Sequence, residues 1–172
     1  MAQEDATSPL RKRPEEYGPN YQDHLLKQYS IVVDDALKVS ARRSVANTFF
    51  LTVSTGLLST EGLMISQAIT RLTVFQAAFA TILTVASILF CSTWYFVILS
   101  YQQLNAGKFQ IIHGIEKALP AETYRTEWRL LGEGRNHSKY RPTSELERRI
   151  PIIYIAVFVI VEVAILTSYA FG

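Results

Sequence analysis

The sequence predicts an all-α, three-span integral membrane protein with a long N-terminal helix and a small helical cytosolic connector. Three observations predict it. Residues 73–100 run for 28 positions without a charged side chain, residues 151–171 form a second apolar run interrupted only by Glu162, and residues 44–65 form a third, more polar one. Each reaches the roughly 20 residues that a bilayer core requires.

Composition agrees with this partition. The chain is 172 residues long and 49% hydrophobic, and its mean hydropathy of +0.13 averages oily runs with strongly polar ones. With about 70 residues in the bilayer, an N-terminal segment of about 43 residues and a connector of about 49 remain, which excludes a large soluble domain. The single cysteine, Cys91, falls inside the second span, so no intrachain disulfide forms and the thiol reads as a small packing residue.

Residues 1–20 mix acidic, basic and proline residues with few apolar ones, so they are expected to be a disordered cytosolic tail. They lack the apolar core of a secretory signal, and the first span is expected to act as an uncleaved insertion signal. From Tyr21 the positions Leu25, Tyr29, Val32 or Val33, Ala36 and Leu37 recur at helical spacing, with no Pro or Gly before Gly56. Residues 21–43 therefore read as a cytosolic amphipathic helix that continues into the membrane. Its apolar stripe needs a partner surface, from the connector or another copy of the chain.

The first span, 44–65, is followed by a short turn at 66–72 and by the second span, 73–100. In the second span Ala77, Thr81, Thr84, Ser87 and Cys91 follow one another at three- and four-residue steps, a small-residue seam suited to close helix contact. In the connector, 101–150, helical character persists from Gln102 to Leu119 and stops at Pro120, and a short helix is expected over residues 122–131. Gly132 to Gly134 and Asn136 to Pro142 read as loop. Ser144 with Glu147 fits a capping box, and Pro151 stands where a helical segment can begin the third span, 151–171. The aromatics Tyr124, Trp128 and Tyr140 read as the core of this small region.

Charge orients the spans. Seven Lys and Arg precede the first span, nine lie between the second and third, and Arg71 stands alone in the turn. Positive residues flanking spans stay on the cytoplasmic side, so the N-terminus and the connector are expected inside and the C-terminus outside. Arg42, Arg43, Trp94 and Tyr101 read as membrane-boundary anchors, the aromatics in the headgroup layer; Arg42 and Arg43 also suit anionic lipid headgroups. Glu61 and Arg71 read as an ion pair across the external turn.

Polar groups within the spans are the candidate functional residues. Ser44, Asn47, Thr48, Thr52, Thr55 and Ser59 fall within about 160° of arc on a helical wheel, and that face avoids lipid. It fits either a water-lined pore built from several copies or close helix packing, because small hydroxyl residues also permit tight approach. Glu162 lies almost at the centre of the third span, where acids face a bundle interior or a cavity. It fits a protonated carboxyl bonded to a hydroxyl of the first span, an ionised group on a water-filled path, or a structural bond between helices.

No catalytic residue, metal site or cofactor is expected. His24, His113 and His137 have no ligand spacing, and no phosphate loop or nucleophile elbow occurs. The connector sets six acidic residues against its nine basic ones, which argues against nucleic acid as a partner.

The boundary segments carry a resemblance. Ala41–Thr52 (ARRSVANTFFLT), Ser100–Phe109 (SYQQLNAGKF), Ile115–Pro120 (IEKALP), Glu127–Gly134 (EWRLLGEG) and Tyr140–Pro151 (YRPTSELERRIP) resemble, in order, the RipA-type family of small bacterial inner-membrane proteins. The resemblance covers about residues 25–165. It implies a bacterial inner-membrane homo-oligomer of eight copies, assembled as a ring, and supplies no reaction, ligand or catalytic residue. A looser similarity in layout links the chain to the two-span SLATT effectors of phage defence, from which the third span departs. The expected function is thus a non-enzymatic membrane assembly, pore- or channel-like, with Asn47, Thr48, Thr52, Thr55, Ser59 and Glu162 lining or bracing the path. The alternatives are a membrane-disrupting defence effector and a scaffold for cytosolic partners; membrane lipids are its other expected contacts.

Overall fold

The computed structural model describes residues 9–10, 12–67, 73–135, 138–140 and 142–171. Among the described residues every regular element is helical: α1 (Pro14–Tyr17), α2 (Tyr21–Gln67), α3 (Val74–Glu116), α4 (Thr123–Leu130), a 3-10 turn at Gly132–Gly134, and α5 (Thr143–Phe171). Helices α2, α3 and α5 each contain a stretch long and apolar enough to cross a membrane. The chain divides into two compact units, Met1–Arg42 with Tyr101–Pro142, and Arg43–Ser100 with Thr143–Gly172.

The second of these holds the apolar stretches. On α3 the residues Ala77, Ala80, Thr84, Ser87, Cys91, Trp94 and Ile98 are all buried. Their steps alternate between three and four, the 3.5-residue repeat that keeps one seam facing its neighbours in a left-handed supercoil. Ala80 takes the buried position that the sequence reading gave to Thr81, since a step of three from Ala77 stays on the seam and a step of four leaves it. Thr81 is half-buried and turned to α5. Helix α2 runs antiparallel to α3, as the contacts Ser54–Cys91 and Glu61–Ser87 require. Helix α5 runs parallel to α2, with Glu147 beside Arg43 and Tyr154 beside Thr55. Phe158 and Ile165 are its buried apolar side chains.

The first unit packs Leu25, Ala36 and Val39 of α2 with Ile112 and Ile115 of α3. A small, partly open cavity of about 40 Å3 is lined by Val33, Ala36, Leu37, Ser40, Phe109, Ile112 and Tyr124.

Several boundaries differ from the sequence reading. Helix α3 carries the second span straight into the connector and ends at Glu116, where turn bonds from Ala118 and Leu119 replace the helical ladder; Pro120 disfavours helical backbone at the residue before it. The Gly132–Gly134 loop is a tight turn in which Gly132, Glu133 and Gly134 all have positive φ. Helix α5 begins at Thr143, so Ser144 stands inside it rather than at its cap, and Glu147 reaches Arg43 at 3.3 Å. The same helix continues through Pro151, which lies within it rather than at the start of a new one. Proline there leaves the carbonyl of Glu147 without its usual amide, a defect that a helix tolerates when neighbours cover it, and Pro151 is buried. Part of the expected tail is ordered: Pro14–Tyr17 is helical, and the Pro9 ring lies where a Cβ on Gly114 would stand, 2.7 Å away.

Candidate intramembrane polar site

The span of α2 opposes two side-chain characters. Phe50 stacks on Trp94 at 5.9 Å and meets Phe90 at 4.8 Å, so its apolar side is held by α3. On another side Ser44, Thr48, Thr52, Thr55 and Ser59 are exposed in the single chain. The hydroxyls of Thr48, Thr52, Thr55 and Ser59 satisfy themselves locally. Thr48 donates to the carbonyl of Ser44, Thr52 to that of Thr48, Thr55 to that of Leu51 and Ser59 to that of Thr55, at 2.8–3.1 Å. This back-bonding leaves lone pairs outward and removes the need for an outside acceptor.

The other candidates are drawn inward. Trp94, expected at the headgroups, is 1% exposed, and its indole N–H donates to Asn47 Oδ1 at 3.0 Å. Its position on the three-four seam of α3 accounts for this, and the bond keeps Asn47 from a free lining role. Thr55 is 2.7 Å from the Tyr154 hydroxyl of α5, a partner that no sequence spacing singled out. Glu162 accepts a hydrogen bond from Thr81 at 2.9 Å, on the second span and not the first; its Oε2 has no hydrogen-bond partner among the described residues.

Glu61 departs furthest from its expected place. It is 1% exposed, its Oε1 accepts a hydrogen bond from Ser87 Oγ at 3.2 Å, and its Oε2 has no hydrogen-bond partner among the described residues. Residue 61 lies seven after the buried Ser54, so the repeat that buries one buries the other. The expected partner, Arg71, lies outside the described residues. Of the boundary anchors, Arg43 is half-buried beside Glu147, Arg42 is exposed and Tyr101 is half-buried.

One buried acid escaped the sequence reading altogether. Glu116 in the first unit is fully buried; its Oε1 accepts from Tyr29 Oη at 3.0 Å and from the Tyr124 amide at 2.8 Å, and its Oε2 from the Arg125 amide at 3.0 Å. These amides are among the first of α4, which have no partners within that helix. Burial and the adjacent Glu116 carboxylate push the Tyr29 phenol well above its usual value of 10.0. In the same unit α2 leaves Leu26 and Leu37 exposed, at 57% and 63%.

The model of the octameric membrane protein family (8xMP) matches residues 26–167. No curated protein and no solved structure matches the chain.

Proposed function

The chain belongs to the octameric membrane protein family, and from that premise we propose that it forms a non-enzymatic, eight-membered ring in a bacterial inner membrane, with α2 turned toward neighbouring copies. One observation carries the reading. Within each unit α2 exposes side chains of the wrong character for its surroundings, hydroxyls in the membrane span and leucines in the polar unit. A second copy of the chain relieves both. Small hydroxyl residues permit close helix approach in lipid, and exposed leucines in water gain about 25 cal/mol per Å2 when covered. The excess of Lys and Arg in the connector and N-terminal segment supports placing that unit in the cytoplasm.

In a pore-like ring, Thr48, Thr52 and Ser59 line a wet axis, a reading favoured by their outward lone pairs. In a scaffold the same back-bonded hydroxyls meet across a sealed contact. A single-particle structure in lipid nanodiscs, with ion flux through liposomes, separates them. A continuous water-filled axis, and flux abolished by Thr52→Leu in rings of unchanged size, supports the pore. A lipid-filled centre with no flux, and rings that fall apart on the same substitution, supports the scaffold. Monomers in the native lipid would refute both.

A further inference from the structure

Arg148 and Arg149 stand on α5 just before its apolar run 151–171. Both are exposed, and neither pairs with a carboxylate among the described residues. The acids nearest in sequence leave them so. Glu147 is ion-paired with Arg43 at 3.3 Å, and Glu145, four residues before Arg149, makes no ion pair with it. Arg43, which suited a lipid headgroup by sequence, is thus engaged within the chain, and the unpaired charge at this end of the second unit falls to α5. Ile152 and Ile153 follow the two arginines at four-residue steps, and Ile160 and Val163 continue the same side; these four are 51–68% exposed. They lie within about 100° of arc, opposite the buried Pro151, Phe158 and Ile165.

Two unpaired cations at the head of an exposed aliphatic strip have the layout of a phospholipid, a charged head on apolar tails. Side chains on a helix lean toward its N-terminus, so both guanidinium groups extend away from the apolar run, to headgroup depth. Each presents a planar fork of N–H donors that matches phosphate oxygens. The four side chains of the strip carry no hydroxyl or amide, so they offer none of the polar contacts that hold helices together in lipid. A second copy seated there would also have to desolvate two unpaired cations. We propose that Arg148 and Arg149 bind the phosphate of one anionic phospholipid per chain, with its acyl chains along Ile152, Ile153, Ile160 and Val163. A zwitterionic headgroup brings its own cation beside the phosphate and fits the pair less well. The assignment needs neither the pore nor the scaffold, since all its groups lie on one helix.

Native mass spectrometry of the full-length protein, delipidated in detergent and titrated with phosphatidylglycerol or phosphatidylcholine, counts the bound lipid. A detergent titration has no leaflets, so its result does not depend on which way the chain is oriented. The expected result is one phosphatidylglycerol per chain, preferred over phosphatidylcholine by roughly fivefold for each arginine that takes part. Arg148→Gln with Arg149→Gln removes that preference, while the charge-matched Lys117→Gln with Arg135→Gln, on the first unit, leaves it intact. Arg149→Gln alone lowers it roughly fivefold, and serves where the double variant fails to assemble. A preference unchanged in the arginine variants overturns the proposal, as does an equal loss in the Lys117 and Arg135 variant, which reduces the effect to net charge. Rings that dissociate in the arginine variants with lipid binding unchanged also overturn it, and assign the face to a second copy.

Discussion

Replacing Glu116 tests whether a distant carboxylate holds α4 in place. Glu122, at the N-cap of α4, makes no side-chain cap bond, and the amides of Tyr124 and Arg125 turn instead to Glu116. Glu116→Ala removes both acceptors and leaves the Tyr29 hydroxyl without its partner. An N-cap contributes about 1 kcal/mol and hydrogen bonds to a charged group about 1.5–3 kcal/mol each. Because these bonds share one carboxylate they are not additive, and a loss of about 3–4 kcal/mol is the reasoned sum. Opening of α4 then becomes more frequent by a factor of roughly 150–700, at 1.4 kcal/mol per tenfold. Hydrogen exchange of peptides covering 123–130, with peptides covering 77–98 as the internal standard, reads this directly. Glu116→Gln keeps one carbonyl oxygen but sets an amide N–H2 against a backbone N–H, so its exchange is expected between wild type and Glu116→Ala. Exchange of α4 in Glu116→Ala within threefold of wild type would falsify the capping role.

Two further outcomes follow from single contacts. Tyr29 has a folded-state pKa raised above the unfolded value of 10.0, so its contribution to stability is present in full below pH 10 and is lost as pH rises past it. Chemical denaturation of the first unit is expected to weaken above pH 10 in wild type but less so in Tyr29→Phe, and equal slopes would refute the coupling. Trp94→Phe leaves Asn47 Oδ1 unpaired inside the second unit, at a cost of about 0.6–1.7 kcal/mol. Adding Asn47→Leu is expected to recover part of that loss in a denaturation-based double-mutant cycle; strictly additive effects would show that the pair does not interact.

The three spans were legible because runs of 20 apolar residues almost free of charge are rare outside a bilayer, and the continuous α2 was legible because neither Pro nor Gly interrupts residues 21–55. What sequence spacing left hidden was which side of each helix faces inward. Trp94 near the end of a span resembles a member of an aromatic belt, and only the three-four repeat from Ala77 to Ile98 reveals it as a seam residue. The same repeat from Ser54 would have placed Glu61 inside. Glu116 carried no such signal: capping patterns relate residues three apart in one helix, whereas this carboxylate reaches across a turn to amides eight and nine positions on.

Burial along the spans also bears on how the helices divide their contacts. The most apolar window of α3 is 28% buried in the single chain, that of α5 17% and that of α2 only 11%. Helix α3 is therefore the one that its own chain encloses, and its inward seam of alanine, serine, threonine and cysteine suits close approach on both sides. Helix α2 combines the least enclosure with the most hydroxyls. In lipid, apolar surface gains nothing from being covered by another apolar surface, so packing and polar contacts must drive association. Thr48, Thr52 and Ser59 of α2 have given their hydrogens to their own helix's carbonyls, which leaves shape as their main contribution. A neighbouring copy would then be held by close fit along Ser44, Thr48, Thr55 and Ser59, and a bulky side chain on this face would do more harm to assembly than the loss of any single hydroxyl.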